Sequence, residues 1–431
     1  MIEITSIGCI YVVYKHNAFI LHLPPRSFTK KCGVLLFSFF LCMHSIVEWL
    51  VKKMKMKTTL PDELIVEILL RLPVRTLLRF KCVRKSWLFL ISDPQFTKSH
   101  FDLAAAPTRR LLLRFSQNTA QFNSVDIEAP LHDHTPNVVF NIPPPSLFHE
   151  FGSWEFFVDV GSCRGFLLLR YRLLLGLPTF AIWNPSTGLF KRIKDMPTYP
   201  CLCGIGYDSS TDDYVIVNIT LLSYTMIHCF SWRTNAWSCT KSTVQYALGM
   251  SSPHGCFING ALHWLVGGGY YDKPNVIIAY DVTERSLSDI VLPEDAPDRL
   301  YSLSVTRGCL CIFSTHRLPT MLEIDMWTLK EYKVQSSWTK SSFVLSRDYY
   351  DFSSIFFPIR FTRNDEIWLV DDDQTLVRFN DKGELLEHRV HGGMGSLVYR
   401  YWDFVTYRES LLPLPMQAIE DAEYLERDLI S

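Results

Sequence analysis

Five short stretches of the chain carry residue types that could do chemistry, and each lacks a partner it would need. His132-Asp133-His134 offers donors of the kind that hold zinc, but no third ligand stands at helical or hairpin spacing from them. His391-Gly-Gly-Met-Gly395 has the make-up of an oxyanion loop, yet the chain holds no G-x-S-x-G elbow to supply a nucleophile, so it reads as a flexible turn. Gly267-Gly268-Gly269 opens no helix and has no following Lys-Ser/Thr, so it is no phosphate loop. Asp371-Asp372-Asp373 reads as an acidic hairpin tip, because a Ca²⁺ loop needs further spaced oxygens. Asn218-Ile219-Thr220 is a glycosylation sequon placed inside an expected strand. No nucleophile, base and orienting group can be assembled from these, which points away from an enzyme and leaves no cofactor or metal to expect.

The cysteines give the same answer. There are 12, with no C-x-x-C pair. Cys201/Cys203 and Cys309/Cys311 are C-x-C pairs, which in a strand point to one face and fill core positions. A reducing compartment fits this usage. The net charge of −1, from 43 Lys and Arg against 44 Asp and Glu, gives no electrostatic footprint for nucleic acid. Aromatic residues make up 14%, and 23 Pro and 20 Gly punctuate the chain, a composition suited to a β-rich body with many turns. Trp232, Trp237, Tyr332, Trp338 and Lys340 lie at or near such turns, either as anchors of a binding surface or as packing between sheets.

Two kinds of element must position whatever the chain binds. From Leu60 to Phe96 the pattern is helical. Pro61 suits a first helical turn, Asp62 and Glu63 complement the dipole there, and Leu64, Ile65, Ile68, Leu69 and Leu72 draw one apolar stripe that Pro73 stops. A second short helix is expected from Val74 to about Cys82 and a third from Lys85 to about Ile91, ended by Ser92, Asp93 and Pro94. Three helices this short carry more large apolar side chains than a unit of about 35 residues can bury, so part of that surface should face another domain or another chain.

Beyond a short Ala-rich linker the pattern alternates. Arg110–Phe115 and Phe122–Ile127 read as a strand pair, and then a unit of strand, polar turn and strand recurs. It is seen at Ala181–Phe190, Cys229–Ser238, Ile278–Leu287, Leu322–Leu329 and Leu376–Leu385, roughly 45 to 55 residues apart, the period of propeller blades. About six such units are expected, since one blade cannot bury both its faces and a ring of blades can. The fold class expected is α+β multidomain: a small three-helix unit followed by an all-β domain, a β-propeller, with a β-sandwich of the same strands as the alternative.

The helical segment resembles the F-box motif. LPDEL, EILLRLPV, LLRFKCVRKSW and ISDPQF follow one another without a gap, with Cys82, Lys85 and Trp87 matching the closing C-x-x-K-x-W. The resemblance implies docking onto a Skp-type adaptor and, through it, a cullin scaffold. It further implies that Leu60, Pro61, Ile68, Leu69, Leu72, Pro73, Leu77, Val83 and Trp87 face that adaptor or support the face that does. The β segment, through GSCRGFLLL, IWNPSTGLFKRI, GIGYDSSTDDYVIV, CFINGALHWLV, VIIAYDV, GCLCIF and MWTLKEYKVQSSWTK, resembles the F-box-associated domain of plant F-box proteins. That domain lies close to the kelch-type arrangement but lacks its regular Gly-Gly with spaced Tyr and Trp. This second resemblance implies recruitment of an unidentified target protein for ubiquitination by an SCF-type ligase.

The expected boundaries are 1–53 for an N-terminal extension, 54–100 for the F-box, 101–109 for a linker, 110–412 for the β domain and 413–431 for a tail. The extension departs from the family. Gly33–Val51 is nearly long enough to span a bilayer, although His44 and Glu48 interrupt it, and lysines flank it on both sides. One reading makes it a membrane anchor for a tethered binding propeller outside any ligase, with everything after residue 51 cytosolic. The other, which is favoured, leaves it out of the working protein, since chains of this kind open a few residues ahead of the F-box, near Met54 and Met56. The F-box is cytosolic or nuclear on either reading.

Overall fold

The computed structural model describes residues 2–5, 9–14, 17–22, 61–103, 109–114, 122–126, 139–142, 155–172, 178–193, 201–221, 224–244, 246, 255–267, 275–297, 302–318, 321–346, 357–361, 366–370, 375–380, 382, 384–390 and 404–415. The chain divides into two compact units, residues Met1–Ile65 with Leu131–Asn137, and Val66–Pro130 with Val138–Ser431. In the first, β1 (Ile2–Thr5), β2 (Cys9–Tyr14) and β3 (Asn17–His22) form an antiparallel sheet in the order β1-β2-β3, where the sequence reading expected only an extension. The apolar run 33–51, on which the anchor reading depends, lies outside the described residues. Among the described residues, no helix is long and apolar enough to cross a membrane.

Among the described residues four helices follow, one more than expected from 60 to 96: α1 (Asp62–Leu70), α2 (Val74–Phe80), α3 (Lys85–Ser92) and α4 (Pro94–Leu103). Proline explains the difference. Pro94 is the first residue of α4, not a stop for α3, because a first-turn position has no use for the N–H that proline lacks. Asp93 caps the new helix, its carboxylate accepting the Phe96 N–H at 2.9 Å. Phe101, expected to open the linker, therefore belongs to the helix, as does Leu103.

The remaining strands form six four-stranded antiparallel sheets. Blade one holds β7 (Glu155–Cys163), β8 (Phe166–Arg172), β9 (Pro178–Trp183) and β10 (Phe190–Ile193). Blade two holds β11 (Leu202–Asp208), β12 (Asp213–Leu221), β13 (Thr225–Ser231) and β14 (Ala236–Lys241). Blade three holds β15 (Cys256–Ile258), β16 (Ala261–Val266), β17 (Val276–Asp281) and β18 (Ser286–Ile290). Blade four holds β19 (Ser302–Thr306), β20 (Cys309–Arg317), β21 (Met321–Leu329) and β22 (Trp338–Ser346). Blade five holds β23 (Phe357–Phe361), β24 (Ile367–Val370), β25 (Thr375–Phe379) and β26 (Leu385–Val390). Blade six joins the two ends of the domain: β27 (Phe404–Arg408) pairs with β4 (Arg109–Arg114), which pairs with β5 (Phe122–Asp126) and that with β6 (Val139–Ile142). Six small sheets, not two large ones, make this a propeller and set the sandwich aside. Their first strands touch in the order β27, β7, β11, β15, β19, β23.

Blades two, three and four are buried on both faces, which is why their middle strands read as continuous apolar runs. Ile216 of β12 packs with Leu168, Phe180 and Ile182 of blade one, while its neighbour Val217 packs with Leu262, Trp264 and Ile278 of blade three. Blade three meets blade four through Leu265, Ile277, Ile312 and Trp327, and blade four meets blade five through Phe313, Ile324, Leu369 and Val377. The recurring polar turn is the link from third to fourth strand. In blades one, three and five, Asn184, Asp281 and Asn380 accept backbone N–H groups two residues on, at 2.9, 2.9 and 3.0 Å. Blade four differs from expectation: Leu322–Leu329 lies within the single strand β21, and the turn comes after it, at 330–337.

Candidate functional site

The strand order fixes what each end of the ring carries. Links from first to second and from third to fourth strand lie at one end, and the helices α2–α4 dock there. Phe101 of α4 is buried with the Arg408 guanidinium 3.6 Å and the Arg164 guanidinium 4.8 Å from its ring centroid, and Arg408 also donates to the Phe101 carbonyl. Arg164 stands in the tight β7–β8 hairpin with positive φ at both Arg164 and Gly165, as a two-residue primed turn requires. From α2, Arg75 reaches Glu409 at 3.6 Å, and Glu409 lies equally far from Arg110 of β4. Arg110 donates to the Ser124 hydroxyl at 2.6 Å, and that hydroxyl is 2.9 Å from the Tyr407 hydroxyl.

Burial sets the protonation of this group. It pushes the Glu409 carboxyl up, with the two arginines opposing, and pulls Arg75 down to about 10, with the neighbouring Arg110 charge adding to the fall. Inside the helical unit, His100 stands 2.8 Å from the Leu72 carbonyl, tying α4 to the end of α1, and burial lowers its pKa.

The helices present a different surface to solvent. Val83 is 52% exposed, Leu88 42% and Phe89 73%, an apolar cluster on and just before α3, with only Ile91 of that helix buried. Trp87 is half-buried against Phe80, ring centroids 5.2 Å apart. Of the residues expected to serve an adaptor, Pro61 and Pro73 are exposed, Ile68 and Leu72 half-buried, and Leu69 and Leu77 buried. Leu60 lies outside the described residues. Leu88 and Phe89 were not foreseen, although the run Trp87-Leu-Phe-Leu-Ile91 carried the signal: five large apolar residues in succession cannot all face one side of a helix.

The other end of the ring carries the links from second to third strand and from blade to blade. Exposed there are Tyr224, with the Lys241 ammonium 3.5 Å from its ring centroid, and Val244 and Leu318. The aromatic residues singled out from sequence lie elsewhere and are engaged. Trp232 is buried and donates to the Pro415 carbonyl at 2.8 Å, Trp237 packs 5.3 Å from Phe230, and Trp338 donates to the Val291 carbonyl at 3.0 Å. The Tyr332 hydroxyl is 2.7 Å from His263, and Lys340 pairs with Asp325 at 2.9 Å. Asn218 is fully buried, so the folded chain does not offer its sequon. Cys203 and Cys311 are buried, and the nine cysteines from Cys82 onward are free thiols. No cluster of metal-binding groups occurs among the described residues. The stretches His132–His134, Asp371–Asp373 and His391–Gly395 lie outside them, as do Gly268 and Gly269.

Comparison with known proteins agrees with this division. The F-box domain model matches residues 58–99, and the model of the F-box associated beta propeller domain matches residues 114–413. The chain is 27% identical over 332 residues to F-box protein CPR1 of Arabidopsis thaliana, covering 65% of this chain and 72% of that one. It is 27% identical over 304 residues to F-box/kelch-repeat protein At3g23880 of the same plant, covering 65% and 78%. With F-box protein At4g22390, again from Arabidopsis thaliana, identity is 24% over 311 residues, covering 65% and 72%.

Proposed function

The chain belongs to the family of F-box proteins with an F-box-associated β-propeller, and on that footing we propose that it is the substrate-recognition subunit of an SCF-type cullin ubiquitin ligase. The helical unit binds a Skp-type adaptor, which brings the cullin, and the propeller recruits a target protein. The chain performs no chemistry of its own. It raises the concentration of the target's lysines near the charged carrier of the ligase. The nine free cysteines support a reducing compartment, the cytoplasm or nucleus, as the place of work.

One observation carries the reading: Val83, Leu88 and Phe89 stay exposed while α4 buries Phe96, His100 and Phe101. A unit that has already spent one face on the propeller keeps a second apolar face open, and three large side chains in water invite a partner. The adaptor face proposed is Leu60, Pro61, Ile68, Leu72, Pro73, Val83, Trp87, Leu88 and Phe89, supported from beneath by Leu69 and Leu77.

Binding of the purified full chain to a purified Skp-type adaptor tests this. Phe89→Ala is expected to cost about 2 kcal/mol, roughly thirtyfold in Kd, and the pair Leu60→Ala with Pro61→Ala at least as much. Unchanged affinity in both variants would place the adaptor surface elsewhere.

A further inference from the structure

The chain does not stop at the strand that closes the ring. Residues 409–415 run on beneath blades one and two, and every anchor along them is built. Glu409 lies between Arg75 of α2 and Arg110 of β4, 3.6 Å from each. The Ser410 N–H donates to the Ser186 hydroxyl at 3.2 Å, and the Ser410 carbonyl accepts from the Asn184 amide at 3.1 Å. Asn184 is held for that contact, because its own side-chain oxygen accepts the Ser186 N–H at 2.9 Å. Leu412 and Leu414 join the apolar cluster between blades one and two, and Pro415 receives the Trp232 N–H at 2.8 Å. Gly165 must lack a side chain here, since a Cβ would collide with Ser410 and stand 2.9 Å from the Arg408 carbonyl oxygen.

The residues at the head of this segment are those that hold the helices. Arg408 grips Phe101, and Glu409 pairs with Arg75, so α4 and α2 are both fixed by two consecutive residues. We infer that residues 409–415 form a strap that locks α2 and α4 to the propeller in one orientation, with Arg408 and Glu409 as positioning residues. The chain then acts as a rigid spacer between adaptor and target. That last consequence rests on the ligase reading; the lock itself does not.

Without the strap, α2 would lose its Arg75–Glu409 ion pair while Phe101 stayed packed against Arg164 and Arg408, and a looser hold spreads the effective concentration of one end about the other over more orientations. Locking removes that spread. It also leaves the opposite end of the ring, with Tyr224, Lys241 and Leu318, clear of the helices.

Hydrogen exchange of the full chain tests the lock, with Glu409→Gln and Trp232→Phe as variants. Glu409→Gln keeps the shape and removes the charge, while Trp232→Phe removes the hydrogen bond that holds the far end of the strap. Exchange of α2 and α4 amides is expected to rise by on the order of tenfold in Glu409→Gln, with β12 and β16 as protected as before. In Trp232→Phe the rise is smaller and begins at residues 409–415. Equal protection of α2 and α4 in both variants would overturn the inference, as would loss of protection across the whole ring in step with the helices. If Glu409→Gln does not fold, the outcome is read from Trp232→Phe alone. Adaptor binding, measured on the same samples, is expected to stay within about twofold of the parent. A parent chain that binds no adaptor would defeat the ligase reading while the exchange result still decides the lock.

Discussion

His263 shows how one residue's surroundings set its chemistry. It is fully buried, its Nδ1 3.1 Å from the Cys256 carbonyl and its Nε2 2.7 Å from the Tyr332 hydroxyl. The carbonyl can only accept, so Nδ1 carries the proton and Nε2 accepts from Tyr332, leaving the ring neutral. Burial lowers its pKa to about 4, the Lys333 charge adding to the fall and the bond to the Cys256 carbonyl opposing it. The unfolded chain takes up a proton near the ordinary value of about 6.5, so this contribution to stability is complete above that pH and is lost as pH falls towards about 4. A shift of that size corresponds to up to about 3 kcal/mol. Denaturant midpoints are expected to drop more between pH 7 and pH 4.5 in the parent than in His263→Gln, and equal drops would refute the assignment. Only part of this is legible in the sequence: Cys256 faces His263 across the short β15–β16 hairpin, but Tyr332 comes from blade four and nothing local to His263 announces it. The two C-x-C pairs are legible only in part: Cys203 and Cys311 fill core positions, while Cys201, just ahead of β11, and Cys309 are half-buried.

At the scale of elements, local chemistry was readable where it could be interpreted in one way only. The polar turns at Asn184, Asp281 and Asn380 were visible because a side chain that accepts N–H groups two residues on is written into the turn itself. Asp93-Pro94 admits two readings, a stop for one helix or a cap and first turn for the next. Tertiary packing decides between them, since Phe96, His100 and Phe101 give α4 a face to bury. Asp93→Ala is expected to lower thermal stability by about 1 kcal/mol through loss of the cap, with the effect confined to α4 in exchange measurements. No change in either would show that packing alone defines the start of this helix. Leu322–Leu329 was mistaken for strand, turn and strand because Asp325 has the look of a turn residue. In the fold it stands in mid-strand, its carboxylate accepting from Ser342 at 2.5 Å and pairing with Lys340 at 2.9 Å. A polar residue within a strand becomes intelligible only once its cross-strand partners are known.

For the whole molecule, the period of the turns gave the number of blades, but not the way the ring closes. β27 pairs with β4 across almost the entire domain, and sequence pattern holds no trace of a pairing between such distant segments. The consequence is functional, since closing the ring also delivers Arg408 and Glu409 to the helices. The exposed cluster on α3 then projects from a body whose other helical face is already committed. We propose that this cluster recruits a ligase. Affinity capture of the full chain from cells in which degradation is blocked, beside Val83→Asp with Phe89→Asp, tests it most directly. An adaptor and a cullin should be captured with the parent and lost from the variant, while target proteins held by the propeller remain in both. Capture of neither adaptor nor cullin by the parent, or equal capture by the variant, would contradict it.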